Sequence, residues 1–173
     1  NYPEALKNNL ASLEICQKIG DKQGIATSYS NIGAIYTKLD NYPEALKNHL
    51  ASLKIKEEIG DQWGIARSYV NLGMLNIKLN KAFEAKKHLN EGLALSKKIG
   101  SKVLIKDAYH SHSLLDSALG NYQQALAHYK LYTNYKDSIL NETNSKQITQ
   151  MKEQYESEKK DKEIVQLTSE KQK

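Results

Sequence analysis

The sequence predicts an all-α protein: antiparallel helix pairs stacked into a solenoid, followed by a C-terminal helical extension. Three observations carry this. Residues 1–40 and 41–80 align with 25 identities in 40, so the chain repeats with a 40-residue period. Within each period apolar residues recur at three- and four-residue steps, the mark of helices buried along one side. No alternating strand pattern is visible, and the composition is 26% charged with only two prolines, which suits a helix-rich chain.

The elements follow in order. The array starts on a lone second helix over residues 2–19. A first hairpin runs over about 22–59, with a polar break at Asp40-Asn41 between its helices. Pro43 fits a first helical turn, where its missing N–H costs nothing. Leu46, Leu50, Leu53 and Ile59 then form an apolar stripe. Gly60 suits a left-handed C-terminal cap, and Asp61 can cap the next helix. The second hairpin, about 62–99, repeats the pattern through Ile65, Tyr69, Leu72, Leu75 and Leu79, with its break at Asn80-Lys81. The third, about 102–140, keeps Tyr109 and Ala125 in frame but has Ser113 where the earlier repeats have Gly33 and Gly73. One hairpin cannot bury both of its stripes, so the core must run from hairpin to hairpin. Gly33, Gly73, Ala45 and Ala85 let the helices approach closely.

The chain is thus read as an array over 1–140 and a charged connector over 141–173. The connector has no Gly or Pro and few apolar residues. Ile148, Met151, Tyr155, Lys162 and Val165 fit a seven-residue frame, with Glu158 and Lys162 spoiling its seam. Two readings stand: a solvated helix, or a coiled-coil arm that pairs with a second copy or leads into another domain. Opening in mid-motif at Asn1 suggests a piece of a longer protein.

The spacing resembles the tetratricopeptide repeat. The pattern of an aromatic, Leu-Gly, Tyr and a later Ala reads here as Tyr29, Ile32, Gly33, Tyr36 and Ala45, then Tyr69, Leu72, Gly73, Asn76 and Ala85. The third unit, Tyr109, His112, Ser113, Asp116 and Ala125, is degenerate. The period is lengthened to 40, the closing proline is absent, and Asn9 or His49 replaces the second-helix aromatic until Tyr129. Lengthened repeats of this kind resemble those of kinesin light chains, cell-polarity adaptors and bacterial peptide-sensing regulators. The array with its charged connector is similar to the input region of bacterial signalling proteins.

The resemblance implies a right-handed superhelix that binds a peptide or protein segment in its concave groove. Carried over by position, the groove contains Asn31 and Asn71, with Ser111 in the third place. Thr27, Arg67 and Asp107, then Ser30, Val70 and His110, then Ala34, Met74 and Leu114 follow, with Thr37, Ile77 and Ser117 beyond and Lys38 and Lys78 beside them. An asparagine amide both donates and accepts, as a peptide backbone requires. Arg67 and the lysines favour an acidic or C-terminal carboxylate group. The alternative is a structural spacer or dimerisation arm with no groove ligand, self-associating through the tail or the open repeat end.

Other classes lack support. The net charge of +5 lies almost wholly in residues 81–107, a local patch rather than the continuous stripe that phosphate tracking needs, so nucleic acid is not an expected partner. No apolar run is long enough to span a membrane, and the compartment stays open. Cys16 is the single cysteine, which excludes an internal disulfide, and it is read as a small packed hydrophobe. No Gly-rich phosphate loop, Cys pair or HExxH sequence occurs. Asp107, His110, His112 and Asp116 form the densest polar cluster, but His110 and His112 point about 200° apart on a helix. Neither a metal site nor a Ser–His–acid arrangement is expected there. The sequence therefore predicts no enzyme, no cofactor and no metal.

Overall fold

The computed structural model describes residues 2–170, with side chains through residue 162. Seven helices follow one another: α1 (Tyr2–Ile19), α2 (Lys22–Lys38), α3 (Tyr42–Ile59), α4 (Gln62–Lys78), α5 (Ala82–Lys98), α6 (Lys102–Ala118) and α7 (Tyr122–Glu170). Among the described residues all regular structure is helical. The chain divides into two compact units, Asn1–Tyr135 and Lys136–Lys173.

In the first unit the helices are punctuated every 20 residues by the same device. Gly20, Asp40, Gly60, Asn80, Gly100 and Gly120 all take positive φ, between 55° and 76°. The residue after each closes the preceding helix by donating its N–H five residues back, as Asp21 does to Cys16 O (2.9 Å) and Asn121 to Asp116 O (2.8 Å). This is the Schellman arrangement, and its left-handed residue is why glycine recurs. Asp40 and Asn80 fill that place at the turns inside the first two hairpins. Both belong to the residue types that tolerate it best among L-residues. The next helix is capped at once. Asp21 accepts from Gly24 N at 2.9 Å and Asp61 from Gly64 N at 2.8 Å.

Each helix packs on the next in the chain. Leu53 of α3 meets Ile65 and Leu72 of α4, with Leu46, Tyr69 and Leu95 around them. Ala85 and Leu89 of α5 meet Leu115 of α6. The small residues sit at the crossings. A Cβ on Gly33 would lie 2.9 Å from His49 Nδ1, and one on Gly73 would fall on the Leu89 side chain. Ala45 and Ala85 are fully buried. The tyrosines at the 40-residue period occupy matching places: Tyr69 stacks on His88 and Tyr109 on His128, with ring centroids 6.1 and 5.9 Å apart. The unit is a helical solenoid. Cys16 is half-buried, where α1 meets Gly24 of α2.

The second unit is helical through Glu170. Its apolar side chains Ile148, Met151 and Tyr155 are exposed. Val165, the last member of the seven-residue frame, lies outside the residues whose side chains are described. No described helix is long and apolar enough to cross a membrane.

Candidate binding cleft

A cleft of about 560 Å³ opens in the first unit, walled by α2 and α4 with α3 beneath. From α2 come Thr27, Ser30, Asn31, Ala34, Thr37 and Lys38. From α4 come Trp63, Arg67, Asn71, Met74 and Lys78. The walls follow from the repeat. Residues 27, 31, 34 and 38 recur at helical steps on one face of α2, and 67, 71, 74 and 78 occupy the same face of α4 one period on. The adjoining faces, about 100° around each helix, carry Ile32, Ile35, Leu72 and Leu75, all buried.

Two floor residues come from α3, and sequence reasoning placed neither of them in the groove. His49 is 3% exposed and Lys56 is 5% exposed. The Lys56 ammonium donates to Ser68 Oγ at 3.0 Å. Burial pushes the Lys56 amine down, opposed by Asp61 and assisted by Arg67. Burial, with the Lys56 charge added, lowers the His49 imidazole to about 4, so His49 is neutral at pH 7. One signal for Lys56 was in the repeat alignment. Its counterparts are Cys16 and Ser96, so a cation stands at an uncharged register position.

The electrostatics are one-sided. Lys38, Lys56, Arg67 and Lys78 line the cleft, and among the described lining residues the carboxylate is Asp40. Asp40 already accepts a hydrogen bond from the Tyr42 hydroxyl at 2.7 Å. The Arg67 guanidinium lies 5.2 Å from the Trp63 ring centroid, and Lys78 Nζ lies 6.0 Å from that of Tyr42. These rings hold the cations by their π faces, which leaves N–H donors for an anion.

Of the residues carried over from the family pattern, Thr27, Ser30, Asn31, Ala34, Thr37, Lys38, Arg67, Asn71, Met74 and Lys78 meet in this cleft. Val70 and Ile77 of the second repeat and Asp107, His110, Ser111, Leu114 and Ser117 of the third do not. Val70 is 5% exposed and packs on α5, where its Cγ2 is 3.0 Å from the place a Gly92 Cβ would take. Ser111 is 2% exposed and donates to Asp107 O within its own helix at 2.9 Å. His110 packs on Tyr132 of α7, with ring centroids 4.8 Å apart. In the third repeat His110, His112 and Asp116 are turned to the α6–α7 contact. There His128 Nδ1 lies 2.7 Å from Asp116 Oδ2, and His112 lies 5.1 Å from His128 between ring centroids. No group of three or more His, Cys, Asp or Glu able to hold a metal occurs among the described residues.

Residues 1–58 match the family model of the tetratricopeptide repeat. No curated protein matches. Among solved structures, BtubC (BKLC) from P. vanneervenii is similar at a TM-score of 0.69 and 17% identity, over 80% of this chain and 57% of that one. The apo form of RapI is similar at 0.56 and 20%, over 81% and 64%. A Rap protein complexed with Competence and Sporulation Factor is similar at 0.61 and 16%, over 81% and 48%. The chain thus spans less than two thirds of each of these proteins. The fold is that of a tetratricopeptide-like helical-repeat solenoid, and residues 1–58 match the tetratricopeptide-repeat family model.

Proposed function

We propose that this is a non-enzymatic protein-interaction module whose α2–α4 cleft binds an acidic peptide or protein segment, within a larger bacterial signalling protein. The observation that carries it is the union of two asparagines, one period apart, with four cations in a single cleft. Asn31 and Asn71 each offer a donor and an acceptor to an extended backbone. Lys38, Lys56, Arg67 and Lys78 select a carboxylate-bearing partner. One of the similar solved structures is a Rap protein complexed with Competence and Sporulation Factor, a precedent for a bound partner on this fold. The experiment is a titration of the chain with acidic and neutral extended heptapeptides, each with free and amidated C-termini. Acidic peptides should bind, and Asn31→Ala with Asn71→Ala should weaken them tenfold or more, roughly 1.4 kcal/mol. Unchanged affinity in the folded double variant removes the cleft from the account.

A second reading, a dimerising arm, rests on the second unit, where Ile148, Met151 and Tyr155 are 54%, 64% and 69% exposed at heptad-like steps. Sedimentation of the full chain separates the two readings. A monomer at high concentration rejects the arm.

A further inference from the structure

The four cations of the cleft stand in two pairs, one at each end. α3 runs against α4, since Lys56 in its last turn reaches Ser68 in the first half of α4. It also runs against α2, where Lys22 at the start pairs with Glu58 at the end of α3 at 3.2 Å. α2 and α4 therefore point the same way, and Gln23 donates to Asp61, the cap of α4, at 3.3 Å. One end of the cleft holds Lys56 and Arg67, and the other holds Lys38 and Lys78. Between them lie Asn31, Ala34, Asn71 and Met74, with His49 level with Gly33. This middle stretch is uncharged at pH 7, because His49 is neutral there. Both ends are held outward. Arg67 leans on Trp63, one turn nearer the start of α4. Lys78 leans on Tyr42, which opens α3 and so lies beside the end of α4. At about 1.5 Å per residue, the helix between Arg67 and Lys78 puts about 16 Å between the two ends. Lys56 has Ser68 Oγ as its one hydrogen-bond partner among the described residues, so its ammonium keeps N–H groups for an anion.

We infer that the cleft reads the spacing of two acidic side chains on its partner: an extended segment with carboxylates about five residues apart and an uncharged stretch between them. An extended chain advances about 3.3 Å per residue, so five residues cover about 16 Å, the distance between the two cationic ends. This rests on the reading of the cleft as a site for an acidic segment, and it adds the rule by which the cleft chooses among such segments. Carboxylates two residues apart, about 7 Å, reach one end only. The second then sits against Ala34, Met74 and a neutral imidazole, where its desolvation is uncompensated. Carboxylates eight residues apart, about 26 Å, overshoot, and one of them stays in solvent. The uncharged middle is what makes the rule discriminate. The two ends are also unequal. Asp40 lies at the Lys38–Lys78 end, so the Lys56–Arg67 end carries the larger positive charge.

The test titrates the full chain with three ten-residue peptides whose termini are blocked. Each carries two aspartates, placed two, five or eight residues apart in an otherwise uncharged sequence. The net charge is the same in all three, so general attraction to a basic protein is equal. The five-residue spacing should bind about tenfold tighter than either of the others. Arg67 and Lys78 are exposed, and methionine keeps a helix. Arg67→Met or Lys78→Met should therefore leave the fold intact and bring the three affinities together, with the larger loss at Arg67. Asn31→Ala should weaken all three alike and keep their order, because a contact to the peptide backbone does not count charges. Equal affinities for the unaltered chain overturn the spacing rule and leave the acidic cleft standing. A preference that survives both methionines overturns the rule in the same way. If none of the three peptides binds, the acidic cleft and the rule fall together.

Discussion

The Lys56 ammonium donates to Ser68 Oγ at 3.0 Å across the α3–α4 contact, and so a cation is fixed in the cleft floor with an exposure of only 5%. A buried charge held by one hydroxyl is seldom there for stability, because its desolvation offsets what the bond contributes. Lys56→Met is expected to keep or raise the unfolding midpoint in urea while weakening acidic peptides about tenfold. Ser68→Ala leaves the ammonium without its acceptor and should cost about 1–3 kcal/mol. A Lys56→Met variant less stable than Ser68→Ala would mean that the lysine serves the core.

His49 sets a pH dependence. Its pKa falls from the ordinary 6.5 to about 4 in the folded chain, so the unfolded chain binds the extra proton between those values. Stability therefore rises with pH across this window and is lost as pH falls from about 6.5 towards 4. The full loss is on the order of 3 kcal/mol. Burial also lowers His88 and His112, with the same sign. His49→Leu places at this position the residue that α5 has at Leu89. Denaturant unfolding at pH 7 and pH 4.5 should show a smaller difference in that variant than in the parent chain. Equal differences would assign the pH dependence to the other histidines.

Gly73 is the tightest helix crossing in the second repeat. A Cβ there falls on the side chain of Leu89, which is fully buried and has nowhere to move. Gly73→Ala should cost about 1–3 kcal/mol through overpacking. Leu89→Ala on top of it should destabilise by less than it does in the parent chain, since the two side chains then share the space. Strict additivity in the double-mutant cycle would show that the two positions do not press on each other.

Gly60 isolates the cost of backbone handedness. Its φ is +73° and a Cβ there meets nothing within 4 Å, so packing plays no part. Gly60→Ala should lower stability by about 1–2 kcal/mol, and thermal unfolding reads this directly. Gly60→Asn should cost less, because asparagine holds the same conformation at Asn80. Equal losses for the two would point to something other than the left-handed residue.

Much of this protein was written locally. The 40-residue period, the helix starts at Asp21 and Asp61 and the left-handed stop at Gly60 depend on a few neighbouring residues, and those can be read without the fold. The family resemblance likewise put Asn31, Asn71 and Arg67 on one face, because helical phase is a property of spacing alone. Local sequence did not separate Val70 from Ser30, or Ser111 from Asn31, although each pair shares a register position. Which of them reaches the cleft depends on what stands opposite. Gly92 lets α5 close over Val70, and Ser111 is buried with its hydroxyl turned back to Asp107 O of its own helix. In the same way His49 and Lys56 read as positions on a buried stripe. Only the stacking of α2, α3 and α4 opened a cleft above them. The sequence by itself determined the helices and their order, since caps and periodicity are short-range. The tertiary structure decided which side chains face a ligand, since burial is set by the volume of residues one helix away.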